Sequence, residues 1–355
     1  MSDLQISLLA IGAVVVACVY AFNIWQERQL RRRTEEAFAR EHPDVLLGGS
    51  APAEDRRVEP TINAPAPAVE AAAVAVEVAP AAQALAIDPV IDFVVEVQLP
   101  AAANGSGVRD ELRALAAETG KTVLAEGYQE ASGDWVDAGG GAQFARLRFA
   151  LQISNRGGCV SLNHLEAFRG AVAAWAESQQ ANVKSLDADA VHAMAVQLDR
   201  FCADVDIAIG VNVVTADGSP FTGTQIRAQA EKAGLRLEPE GVFYARGHSG
   251  AVLYSLDNHE PMPFVPEQIR ALHTRGVTFL LDVPRVANPL EVFDAMLGVA
   301  RSFAAELGGT LVDDNRAELT DAAIGAIRKQ LEGILVKMEA GRIAAGGARA
   351  LRLFG

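Results

Sequence analysis

The chain has 355 residues, with 31 Lys+Arg against 45 Asp+Glu, a net charge of −14, 50% hydrophobic residues and 6% aromatics. That length holds roughly two domains plus extra segments, and the negative balance excludes a general nucleic-acid binder, which needs a basic surface against phosphate. Cys18, Cys159 and Cys202 are too few for a disulfide framework and lack the CxxC or Cys/His spacing of a structural zinc site.

Residues 4–26 carry no charged side chain and include Ile6, Leu8, Leu9, Ile11, Val14, Val15, Val16, Val19, Phe22 and Ile24. At 1.5 Å per residue the run reaches about 34 Å, enough to cross a hydrocarbon core of about 30 Å. Trp25 closes the run at headgroup level, and Arg28, Arg31, Arg32 and Arg33 follow at once. The Lys/Arg bias predicts a transmembrane anchor over residues 1–27 with the N-terminus outside and the remainder cytoplasmic. A cleaved signal peptide places its positive charge before the apolar run and a small-x-small site after it, and Asn23-Ile24-Trp25-Gln26 is no such site. The arginines serve first as a topology signal and are also placed to meet anionic lipid of the bilayer.

Residues 28–47 form a charged juxtamembrane segment, rich in Arg and Glu, expected to continue the anchor as a short helix. Residues 48–89 are dominated by Ala, Pro, Val and Glu. Repeated proline blocks helix and sheet, and the small side chains bury too little area to offset ordering entropy, so this is a disordered linker. Extended, its roughly 40 residues span on the order of 120 Å.

Two stretches beyond residue 90 share one order of elements. The first opens on Ile91-Asp92-Phe93-Val94-Val95-Glu96-Val97 and the second on Val205-Asp206-Ile207-Ala208-Ile209-Gly210-Val211. Each passes through a small-residue loop (104–107 and 217–223) into a short helix ending near Thr119-Gly120 or Ala233-Gly234, and then into further strands. An apolar strand, a long helix, a short strand (182–185 and 309–313) and a final helix complete each stretch. The strands alternate, with Ile207, Ile209, Val211 and Val213 on one face and Ala208, Gly210 and Asn212 on the other. The helices show stripes at 3- and 4-residue steps: Leu290, Phe293, Leu297, Ala300, Ala304 and Leu307, then Ile324, Ile327, Leu331, Ile334 and Met338 after the N-cap candidate Thr320. The predicted fold class is α+β, an antiparallel sheet with helices on one face and the other face bare, in two tandem copies over 90–203 and 204–340. Residues 341–355 are read as a tail.

No catalytic or cofactor motif emerges. Gly120-Lys121-Thr122 imitates the end of a phosphate loop, but Leu115 stands where that motif needs glycine, and the lysine follows a helix. Gly247-His248-Ser249-Gly250 is not a nucleophile elbow, and Gly139-Gly140-Gly141 suits a hairpin loop. The six histidines contain no HExxH and no close ligand pair. Asp313 and Asp314 read as turn and cap residues. The chain is therefore read as a non-enzyme without cofactor or metal; an anchor, a spacer and a binding module together make a tether.

Gly276-Val277-Thr278-Phe279-Leu280-Leu281-Asp282-Val283-Pro284-Arg285 and Leu307-Gly308-Gly309-Thr310-Leu311-Val312-Asp313-Asp314-Asn315-Arg316, together with the anchor-and-linker layout, resemble the ZipA family of bacterial cell-division proteins. The specific likeness runs over about 204–338; residues 90–203 resemble only a divergent copy of the same domain. The resemblance implies an inner-membrane protein of the division septum whose C-terminal domain holds the C-terminal tail of the tubulin-like FtsZ in a shallow apolar groove. By position that groove is lined by Ala208, Gly210, Val242, Tyr244, Asp257, His259, Thr278 and Leu280. Asp257, His259 and the neighbouring Glu240 are polar where the family's groove is apolar, which implies weaker binding or an altered partner. Two readings compete with a septal tether: a membrane-anchored ligand sensor or scaffold that does not bind FtsZ, and an envelope protein facing outward. The sequence leaves oligomeric state open.

Overall fold

The computed structural model describes residues 86–138 and 141–355. The expected anchor, Arg28, Arg31, Arg32 and Arg33, and the linker as far as residue 85 lie outside the described residues. Among the described residues no helix is long and apolar enough to cross a membrane.

The first lobe starts from an alternating strand, β1 (Asp92–Ala103), whose Phe93, Val95, Val97 and Leu99 point to one side and are buried. Helix α1 (Ser106–Thr119) follows and ends on Gly120 in the left-handed region, φ 61°. Next come β2 (Val123–Gln129), β3 (Asp134–Asp137), β4 (Phe144–Gln152) and a small hairpin of β5 (Ser154–Asn155) and β6 (Gly158–Cys159). Helix α2 (Leu162–Ser178), β7 (Asn182–Ser185) and α3 (Ala188–Val205) complete the lobe. The sheet order is β3-β2-β4-β1-β7, every neighbour antiparallel. Leu165, Phe168 and Val172 of α2 pack onto the apolar side of this sheet, each buried side chain contributing about 1.5–3 kcal/mol.

The second lobe repeats the layering. It runs through β8 (Ala208–Thr215), β9 (Phe221–Thr222), α4 (Gly223–Lys232), β10 (Arg236–Leu237), β11 (Phe243–Arg246) and β12 (Val252–Asn258). Then come β13 (His273–Thr274), β14 (Gly276–Asp282), α5 (Pro289–Leu307), β15 (Gly309–Val312), α6 (Asp321–Ala340) and α7 (Ala348–Phe354). The sheet order is β10-β11-β12-β14-β8-β15, again antiparallel throughout. Thr222 and Gln225 form a capping box on α4, and the Thr320 hydroxyl accepts from the Ala323 N–H to cap α6. Gly223 opens α4 because a Cβ there would sit 2.0 Å from the Ile269 carbonyl oxygen. The predicted stripes bury Phe293, Leu297, Ala300 and Ala304 of α5, and Ile324, Leu331, Ile334 and Met338 of α6. Phe279 of β14 meets Phe303 edge-on at 5.2 Å.

Four strands occupy like positions in the two sheets: β2 and β12, β4 and β14, β1 and β8, β7 and β15. The outer edge differs. In the first lobe the chain enters β2 directly and turns outward to β3, whereas in the second it enters at the edge through β10 and β11 and reaches β12 last.

Residues 341–355, read from sequence as a tail, carry α7 instead, with Ala350, Leu353 and Phe354 buried. This helix joins the lobes. Its apolar side chains share a core cluster with Ile91, just ahead of β1. The Arg352 guanidinium donates to both carboxylate oxygens of Asp92, at 2.9 and 2.5 Å. Arg349 pairs with Asp88, and the Gln152 side chain donates to the Arg352 carbonyl oxygen at 2.9 Å. Ile87, within the stretch expected as linker, is also buried and donates its backbone N–H to Glu126. Lys121, of the phosphate-loop imitation, is buried and donates to Asn155 and to the Gly158 carbonyl oxygen, so it ties the β5–β6 hairpin to the end of α1.

Candidate functional site

The second sheet has one covered and one open face, and its register fixes which residues share each. Phe243, Leu256, Phe279 and Val211 form one row across β11, β12, β14 and β8, fully buried under the helices. The next row, Tyr244, Ser255, Leu280 and Gly210, lies on the opposite face. A third row on that open face holds Asp257, Thr278, Asn212 and Val312. Ala208 pairs with Asp282 at one end of the face.

Six of the eight residues named from sequence therefore lie on strands of this face: Ala208, Gly210, Tyr244, Asp257, Thr278 and Leu280. Val242 sits half-buried just before β11, and His259 is exposed just after β12. Leu280 is 39% exposed, unusual for a large apolar side chain in a central strand. The backbone groups of β8, β12 and β14 are paired on both sides, so a ligand here meets side chains rather than free strand edges.

A polar spine crosses the face, and its proton directions can be assigned. Asp314 Oδ1 accepts from Asn212 Nδ2 at 3.0 Å. A carboxylate is acceptor-only when ionised, so Asn212 turns its carbonyl oxygen to Thr278, whose hydroxyl donates at 2.6 Å. With its proton thus committed, Thr278 accepts from His259 Nδ1 at 3.2 Å. Gly210 makes room for this arrangement, because a Cβ there would lie 2.9 Å from Asp314 Oδ1. Asp314 reaches the face through a tight turn in which Asp313 Oδ1 accepts from the N–H groups of Asn315 and Ala317, at 2.9 and 2.8 Å. Asp313 thus has the turn role its sequence suggested, while Asp314 belongs to the open face.

The remaining flank is acidic. Ser255 donates to Asp257 Oδ2 at 2.8 Å, and burial raises the Asp257 carboxyl above the usual carboxylate range. Burial, and then the charge of Glu240, push the Tyr244 phenol up. Glu238 accepts from Arg246, which lies over the Tyr244 ring at 5.6 Å. At the Ala208 end, Arg156 of the first lobe donates to Asp206 at 2.6 Å and to Asp282 at 2.7 Å. Those two carboxylates raise the Arg156 pKa further still. The first lobe thus abuts one end of the strip.

Asn212 and Asp314 are functional candidates missed by the sequence reading. The alternation that selected Ala208 and Gly210 extends to Asn212, so that residue carried a signal. Asp314 carried none, because its contact spans 102 positions.

Residues 207–330 match a protein family whose model is described as ZipA, C-terminal FtsZ-binding domain. The similarity is to ZipA. Three relatives, each named "Cell division protein ZipA", give its extent. That of Ectopseudomonas mendocina (strain ymp) is 32% identical over 141 residues, 39% of this chain and 52% of the relative. That of Pseudomonas aeruginosa (strain LESB58) is 32% identical over 133 residues, 36% and 46% respectively. That of Azotobacter vinelandii (strain DJ / ATCC BAA-1303) is 32% identical over 123 residues, 34% and 43%. The matched part spans about half the length of these relatives. The ZipA-like span opens one residue before β8 and closes inside α6, so it holds the whole open face, Asp314 included, and omits the first lobe and α7.

Proposed function

We propose that this chain is a membrane tether of the bacterial division septum whose ZipA-like domain docks the C-terminal tail of FtsZ on the open sheet face. The observation that carries the proposal is the match of residues 207–330 to the FtsZ-binding domain, a span that contains an unpartnered sheet face with Leu280 exposed at its centre. The tail lies over Leu280, Tyr244 and Val242, with Ala208, Gly210 and Thr278 beneath it and Asp257 and His259 along one side. Short amphipathic peptides dock in this way on apolar strips that offer a few polar groups. Residues 1–27 anchor the chain, Arg28, Arg31, Arg32 and Arg33 hold the cytoplasmic side, and the Ala/Pro-rich linker gives the domain reach from the inner membrane. The reading assigns the chain no catalytic role, cofactor or nucleic-acid partner.

We read the two lobes as divergent tandem copies, over 90–203 and 204–340. The four strands in like positions and the helix that follows each middle strand support this. On this reading the copies differ at the outer edge, which is β3 in the first lobe and β10–β11 in the second.

A fluorescence-anisotropy titration of the full chain with the FtsZ C-terminal peptide of the same organism tests the proposal. Kd on the order of micromolar is expected. Leu280→Glu and Val242→Glu should each weaken binding at least about tenfold, because a buried unpaired carboxylate costs more than 1.4 kcal/mol. No binding at high micromolar peptide, or binding untouched by both substitutions, would refute it.

A sensor reading has one observation in its favour: a mostly apolar cavity of about 200 Å³ in the first lobe, lined by Leu112, Val123 and Phe149 together with Arg109, Arg113 and Asp137. That is below the roughly 300–1,000 Å³ of ordinary ligand pockets, and it lies within one lobe.

A further inference from the structure

The open face of the first lobe has a chemistry of its own. Its register sets Tyr128 opposite Trp135, Glu126 opposite Arg148, and Gln98 opposite Arg146, all on the side away from α1 and α2. Tyr128 and Trp135 meet edge-on at 5.3 Å. The Arg146 guanidinium lies 4.3 Å from the centre of the Tyr128 ring and 5.4 Å from that of Trp135, and Arg148 lies 4.3 Å from Trp135. Two guanidiniums thus stack on a two-ring aromatic platform toward the β3 edge of this face, away from the Asp92–Gln152 end where α7 packs.

The two arginines differ in what they hold. Arg148 donates through Nε to Glu126 at 2.6 Å, and Glu96 lies between Arg148 and Lys184 in the register. Arg146 has no carboxylate or carbonyl acceptor among the described residues. Its guanidinium rests against the two rings with its N–H donors unspent, and a planar guanidinium can take a carboxylate in two parallel hydrogen bonds. The second lobe has the opposite bias: Arg246 there is committed to Glu238 and the Gly250 carbonyl oxygen, and the face carries Asp257 and Asp314.

We propose that the first lobe's open face is a second docking site, taking a short acidic segment of a partner protein. A carboxylate of that segment pairs with Arg146, and an adjacent apolar side chain lies on Trp135 and Tyr128. Charge complementarity selects the occupant: on this face Arg148 is paired with Glu126 and Lys184 stands opposite Glu96, which leaves the stacked, half-buried Arg146 guanidinium as the unpaired charge. The site is independent of the FtsZ reading, since it shares no residue with the second lobe's face.

The test uses the full chain in detergent micelles and a fluorescein-labelled peptide, Gly-Ser-Leu-Glu-Asp-Leu-Glu-Ser-Gly, read by anisotropy. Its counterpart with Gln and Asn in place of Glu and Asp is the control. The acidic peptide should bind at least about tenfold more tightly than the control, the ratio expected of one charge-assisted pair. Arg146→Gln should erase that ratio with the melting temperature unchanged, Arg146→Lys should restore part of it, and Leu280→Glu should leave it intact. Equal binding of the two peptides, or a ratio that survives in Arg146→Gln, would overturn the proposal. So would at least tenfold tighter binding after deletion of residues 48–85, which would make the chain's own linker the occupant. Self-association abolished by Arg146→Gln would likewise overturn it, in favour of a second copy.

Discussion

Replacing Arg352 with methionine should unfold the joint between the lobes. The Asp92 side chain is fully buried and that of Arg352 is 9% exposed, with two hydrogen bonds between them. Without the guanidinium, Asp92 keeps only the Asp88 backbone N–H, at 2.8 Å, against the cost of a buried carboxylate. Breaking one side of such a pair costs about 3–5 kcal/mol. At roughly 2–4 °C per kcal/mol for a domain of this size, the melting temperature should fall by about 10 °C. The double variant Asp92→Leu with Arg352→Met removes both charges and should recover most of that loss, since apolar replacement of a buried pair is often neutral. Differential scanning calorimetry on the four proteins of the cycle gives the coupling directly. A fall below about 3 °C for the single variant, or a double variant equal to the sum of the singles, would show that the pair does not hold the lobes together.

Two further outcomes follow from the open face. Gly210→Ala, ordinarily favourable in a strand, should instead destabilise by about 1–3 kcal/mol, because its Cβ meets the Asp314 carboxylate. Adding Asp314→Ala should reverse the sign, and a Gly210→Ala protein more stable than the parent in urea titration would contradict the spine. Burial raises the Asp257 carboxyl above its ordinary value of 3.8, so the folded state holds that proton more tightly than the unfolded chain does. Its stabilising effect is fully present below that ordinary value and is lost as pH rises through the folded value. Asp257→Asn should therefore gain stability over the parent at neutral pH, with the gain disappearing on acidification. A gain that is constant with pH would sink the assignment.

The sequence exposed what is local. Alternation located β1, β8 and β14, the 3- and 4-residue stripes located α5 and α6, and Thr320 announced its own cap. Contacts between distant positions were invisible to it. Arg156 reaches Asp282 across 126 positions, Arg352 reaches Asp92 across 260, and nothing in either neighbourhood marks the other. Helix α7 escaped because its seven residues are too few for a periodicity and follow Gly346 and Gly347. On the open face, the alternating set Ala208, Gly210 and Thr278 was legible from strand period alone. The reason position 210 is glycine was not, because the group that fills the space comes from the turn after β15.

The central claim, that FtsZ meets the open face of the second sheet, is tested most directly by site-specific photocrosslinking. A benzoylphenylalanine at position 280 of the full chain should capture the FtsZ tail on irradiation. The same group in place of Val336, which is 69% exposed on α6, should not. Capture at 336 with none at 280 would put the contact on α6 and contradict the account.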